Sequence, residues 1–116
     1  MSHSPLEYLL HIQTECLFLI QESHSYDLRD FHKDAVRQRA FVRSVEIIGE
    51  AVKMLPEDLL VKYPKIKWKQ LARMRDKLIH QYFGVDLGIV WNLTIEIIPK
   101  LNAVVSEMIE KVSLIQ

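Results

Sequence analysis

Apolar residues recur every three or four positions along almost the whole chain, the spacing of α-helices that each bury one stripe. Only three glycines and four prolines punctuate 116 residues, and 49% of the residues are hydrophobic. Breakers are too few for the many turns of a sheet protein. The expectation is an all-α chain forming one domain over residues 1–116, long enough for a modest core of its own.

The breakers that do occur divide the chain. Ser4-Pro5-Leu6-Glu7 offers a hydroxyl cap, a proline whose missing N–H costs nothing in the first turn, and a glutamate three residues after the cap. A first helix should run from there to about Glu22, with Leu6, Leu9, Leu10, Leu17 and Ile20 on one face and Ile12, Phe18 and Leu19 widening it. Asp27, with Asp30 three residues on, caps a second and longer helix to about Leu55, with a break near His32 or Lys33. In it Phe41, Val45, Ile48, Val52 and Leu55 alternate spacings of four and three, which makes a packing seam. Ala40, Ile47, Ala51 and Met54 form a second apolar or small face, open to a twin subunit. Pro56 ends that helix and starts a short turn through Val61, which Pro64 closes. The next helix carries Trp68, Leu71, Ala72, Met74, Arg75, Leu78, Ile79 and Tyr82 and stops at Gly84; Trp68 shares the apolar side and reads as a core anchor, not a stacking platform. Asp86 caps a last helix, bent at Pro99, with Val90, Leu93, Ile97, Leu101, Val104 and Met108 as its buried stripe.

Formal net charge is zero, which excludes the uniform basic field of many nucleic-acid binders. The distribution is uneven. Seven basic residues and a single acid lie between Lys62 and Lys77, a segment suited to gripping a phosphate backbone. Cys16 is the only cysteine, which rules out an intrachain disulfide and a cysteine-based zinc site, and its apolar neighbours mark it as a core thiol. His11 and Glu15 lie one turn apart, but two ligands make a poor metal site, and no glycine-rich phosphate loop, G-x-S-x-G elbow or H-E-x-x-H pair occurs; neither metal nor cofactor is expected. No secretory signal is legible and the apolar stretches are interrupted too often for a membrane span, so the cytoplasm is the expected compartment.

The chemistry concentrates in Arg75-Asp76-Lys77-Leu78-Ile79-His80-Gln81-Tyr82. A permanent cation with a planar fork of donors suits phosphate, and an imidazole moves protons at physiological pH. With no carboxylate cluster beside them, the pair suits metal-independent cleavage of an RNA phosphodiester. On a regular helix His80 sits about 140° round from Arg75. For both to act on one group, the helix must distort before Gly84 or a second copy of the chain must complete the site, which points to a homodimer. Lys69, Arg73 and Lys77, in the basic segment that leads into the motif, are candidate RNA contacts.

The run from Arg75 to Tyr82 matches the R-x4-H-x-Y signature of HepT-like toxins in the HEPN superfamily, and the chain resembles that family elsewhere too. Ile48-Gly49-Glu50-Ala51, Trp68 seven residues before the arginine, and Tyr82-Phe83-Gly84-Val85-Asp86 after the histidine agree with it. The resemblance implies an up-and-down bundle of four to five main helices that dimerises so that two motifs line one cleft. It implies a ribonuclease toxin of a toxin–antitoxin pair acting on tRNA or mRNA, with Arg75 and His80 catalytic and Asp76 and Tyr82 supporting. It also implies an MntA-like nucleotidyltransferase antitoxin that transfers AMP to Tyr82, placing bulk and negative charge beside Arg75. Some members of the superfamily serve instead as nucleotide-binding partners, so the competing expectation is a non-catalytic helical module that presents substrate to a nucleotidyltransferase.

Overall fold

Four polar side chains decide where the helices begin. Ser4, Asp27, Asp34 and Asp86 accept the backbone N–H of Glu7, Asp30, Arg37 and Ile89, each three residues on, so the first turns do not leave these donors unpaired. In the computed structural model, which describes residues 4–80 and 84–115, all regular structure is helical. The elements are α1 (Pro5–Ser23), α2 (Leu28–Phe31), α3 (Ala35–Lys53), α4 (Glu57–Leu60), α5 (Trp68–His80), α6 (Leu87–Asn92), a π-helical turn (Leu93–Ile97) and α7 (Ile98–Ile115). The expected all-α fold is present, and the break near His32 separates α2 from α3. Asp34 supplies the second cap.

Packing follows the order α7, α1, α3, α5: α1 lies between α7 and α3, and α3 carries α5 on its other flank. The pair Arg37–Glu22 (2.7 Å) and the Ser44 hydroxyl donating to Glu15 (2.7 Å) set α1 and α3 antiparallel. Phe41, Val45, Ile48, Val52 and Leu55 of the anticipated seam are all buried. At the α2 end Phe31, Phe41 and Trp91 close a ring cluster, Phe31 lying 5.0 Å from Phe41 and 5.2 Å from Trp91 between centroids. Trp68 is buried and donates its indole N–H to the Tyr63 carbonyl, which is the anchoring role expected of it.

Two stripes differ from expectation, for different reasons. In α1 the buried set is Leu9, Ile12, Cys16 and Leu19, completed by Ser23, while Leu10 and Leu17 are 44% and 50% exposed. This helix is apolar nearly all round, so its two partners rather than its own composition select the stripe. Burial pushes the Cys16 thiol up to about 12, with a smaller contribution from neighbouring Glu15. In the last helix the buried residues are Val90, Trp91, Thr94, Ile98, Leu101, Val105 and Met108, not Leu93, Ile97 and Val104. Val90, Thr94 and Ile98 are two intervals of four apart, which a regular helix would carry about 80° round. The π-turn, in which the Ile98 N–H reaches back to the Leu93 carbonyl, takes up that excess just ahead of Pro99. By length and composition Leu87–Leu114 would suffice to cross a membrane, against the expectation from its interruptions; within this fold Val90, Ile98, Leu101, Val105 and Met108 are fully buried.

Candidate active site

A missing side chain positions the arginine. A Cβ built on Gly49 would stand 2.3 Å from the Cβ of Arg75 and 2.8 Å from the Leu71 carbonyl oxygen, distances no real side chain tolerates. Gly49 in α3 therefore lets α5 close in until the backbones nearly touch at Arg75. The Arg75 side chain is only 23% exposed, and its Nε is buried without a hydrogen-bond partner. Its outer edge is tied instead: one terminal nitrogen donates to Asp76 Oδ1 at 3.0 Å. The same oxygen accepts from Lys53 Nζ at 2.9 Å, across from the C-terminal end of α3. Two cations thus converge on one carboxylate oxygen. Lys53 first and Arg75 second hold the Asp76 carboxyl below the ordinary aspartate value, so at neutral pH it is an anion accepting both bonds.

The outward side of α5 has a different character. Lys69, Arg73, Lys77 and His80 follow spacings of four, four and three, so they fall on one line, and all four are exposed. That line is roughly 16 Å long at 1.5 Å per residue. Asp76 lies on its edge nearer α3. His80 is the last residue of α5, which stays α-helical to that point, so the distortion considered above does not occur between Arg75 and His80. Among the described residues His80 makes no hydrogen bond or ion pair with Arg75. Tyr82 lies outside the described residues. Beyond it Gly84 has φ +74°, a left-handed conformation that suits glycine, and with Val85 and Leu87 it lines an open cleft of about 600 Å³ against Gln38, Val42 and Glu46 of α3. Among the described residues no three His, Cys, Asp or Glu side chains group in a way that could hold a metal ion; Glu15, paired with His11 on spacing, accepts the Ser44 hydroxyl.

Residues 7–108 match the family model described as ribonuclease HepT-like. The chain belongs to that family. It is 51% identical to a protein of Caldanaerobacter subterraneus subsp. tengcongensis named "Putative RNase TTE0752", over 93% of this chain and 96% of that one. It is 45% identical to the "Probable ribonuclease HepT" of Thermococcus cleftensis, over 88% of this chain and 93% of its relative. A third relative, "Putative RNase MJ0127" of Methanocaldococcus jannaschii, is 44% identical over 81% of this chain and 78% of that one. No solved structure matches this chain significantly. Family membership makes the enzyme class that of a ribonuclease.

Within this HepT-like ribonuclease, the face of α3 expected to be open to a twin subunit is divided: Ala51 is buried in the chain's own core, Ala40 and Ile47 are partly exposed and Met54 is exposed, and Ile47 lies about 160° round α3 from Gly49, on the side away from α5. Sequence reasoning also missed Lys53. An exposed lysine at a helix end is ordinarily a solvated charge, and only the packing of α3 on α5 brings it to Asp76.

Proposed function

We propose that this HepT-like chain is an endoribonuclease toxin that cuts RNA without a metal ion, at a cleft formed where two copies bring their α5 helices together. The supporting observation is the pose of Arg75: half-buried, docked through Gly49, and fastened to Asp76, while α5 continues straight to an exposed His80. Because about 140° of helix separates the two side chains, two copies meeting on the α5 flank of α3 would supply what one helix alone does not. His80 would take the proton of a ribose 2′-hydroxyl as its oxygen attacks the adjacent phosphorus. The P–O5′ bond breaks, the partner copy's imidazolium returns a proton to the leaving oxygen, and Arg75 stabilises charge on the non-bridging oxygens. The products are a 2′,3′-cyclic phosphate and a 5′-hydroxyl. Lys69, Arg73 and Lys77 would hold neighbouring phosphates along the exposed line.

Control would fall on Tyr82, two residues beyond His80. Transfer of AMP to its hydroxyl by a cognate nucleotidyltransferase would put an anion and an adenosine where substrate phosphate must sit, silencing the toxin in the cytoplasm.

Purified protein is expected to cut single-stranded RNA in EDTA and leave 2′,3′-cyclic phosphate ends. His80→Ala should lower cleavage by about 10²–10⁴-fold with an unchanged circular dichroism melt. Cleavage abolished by chelator, or an alanine variant as active as the parent, would overturn the mechanism. Intact mass after co-expression with a cognate nucleotidyltransferase would read the modification as increments of one AMP.

A further inference from the structure

We infer that Lys53 is a positioning residue of this active site, acting through Asp76 to aim the Arg75 guanidinium. The inference rests on the nuclease assignment of Arg75 but on different contacts. Neighbouring residues on a helix point about 100° apart and do not naturally face one another. For Arg75 to donate to Asp76, the carboxylate must turn back toward the α3 flank from which the arginine emerges. Among the described residues no other side chain of α5 bonds Asp76, which is half exposed. Lys53, from the helix against which Arg75 is docked, supplies the pull: its ammonium meets the same Oδ1 that receives the arginine. With its inner Nε buried and one outer nitrogen tied to Asp76, the guanidinium leaves its other outer nitrogen, which has no hydrogen bond among the described residues, for a phosphate oxygen. Two cations on one carboxylate also leave the cluster with a net positive charge, which an RNA phosphate would neutralise.

This role differs from that of a direct phosphate contact, and the difference is measurable. Acting through Asp76, Lys53 should affect the chemical step more than binding. Lys53→Met is expected to lower kcat about fivefold with KM within twofold, the scale of an exposed ion pair, and Lys53→Arg should restore it. The double variant Lys53→Met, Asp76→Asn should be no worse than Asp76→Asn alone, because both changes cut the same chain of contacts. Losses that multiply, or a change confined to KM, would make Lys53 an RNA contact and overturn the inference.

A second readout is independent of activity. The Arg75 Nε–H resonance, assigned by its absence in Arg75→Lys, should be protected from solvent exchange in the parent. It should exchange faster in Lys53→Met and recover in Lys53→Arg. An unchanged resonance in Lys53→Met overturns the positioning role even where RNA is cut. A responsive resonance in a parent that cuts no RNA sinks the nuclease assignment while the placement of Arg75 by Lys53 stands.

Discussion

The two flanks of α3 are held by opposite means. Toward α2 and α6 the contact is made of large rings, Phe41 lying 5.0 Å from Phe31 and stacked 6.3 Å from Trp91, with Tyr26 and Phe18 at its rim. Toward α5 it is made by the lack of a side chain at Gly49, which lets backbone meet backbone beside Arg75. Bulk stabilises, and its exact placement matters little so long as the volume is filled. Close approach contributes less burial but leaves no room for a Cβ at Gly49 beside Arg75, so the two helices meet there in one close register. One flank of the helix is therefore built for stability and the other for geometry.

The sharpest test of that division removes bulk. Phe41→Ala should cost about 3–5 kcal/mol, lowering the melting temperature by about 10–20 °C, while cleavage per folded molecule at low temperature stays near the parent's. A calorimetric melt beside a single-turnover RNA assay checks both halves. Loss of cleavage as steep as the loss of stability would break the contrast, since the ring cluster would then be shaping the site as well.

Adding bulk on the other flank should give the reverse pattern. Gly49→Ala forces a Cβ into the space held by Arg75 and should cost about 1–3 kcal/mol from overpacking, partly offset by alanine's better helix propensity. Cleavage should suffer more than stability: a shift of about 1 Å in the guanidinium can cost up to about 10²-fold in rate. A Gly49→Ala protein that melts lower yet cuts RNA as the parent does would show that helix approach does not set the arginine.

The same contrast explains what the amino-acid sequence disclosed. The α3 seam was legible because Phe41, Val45, Ile48, Val52 and Leu55 alternate spacings of four and three without competing leucines between them. The stripe of α1 was not, since Leu10 and Leu17 look as buriable as Leu9 and Ile12 until two partner helices choose between them. The stripe of the last helix was displaced by a π-turn just ahead of Pro99, which the proline in the sequence did not by itself announce. Arg75 and His80 were singled out by the resemblance to the family's R-x4-H-x-Y motif, since the spacing of an arginine and a histidine on one helix is by itself a loose pattern. Gly49 could be noted only as a feature shared with the family; its purpose lies in the Cβ it lacks opposite Arg75. Lys53 gave no signal, because its partner is distant in the chain and exposed charge is common.

The smallest expected effect lies on the geometric flank and depends on pH. Asp76 has its folded-state carboxyl held below the ordinary 3.8, by Lys53 first and Arg75 second. A depressed carboxylate contributes stability that is fully present above the unfolded-state value and is lost as pH falls through the folded one. The difference in melting temperature between the parent and Lys53→Met should therefore be constant from neutral pH down to about 5 and close below about 4, because protonated Asp76 no longer distinguishes the two. A carbon-13 titration of the Asp76 carboxyl reads the cause directly: its midpoint should rise toward the ordinary value in Lys53→Met. Phe41→Ala exchanges one uncharged side chain for another, so its deficit relative to the parent should not follow that curve. A midpoint unmoved by removal of Lys53 would mean that the interhelical bond contributes nothing in solution, and the arginine would then depend on Gly49 alone for its aim.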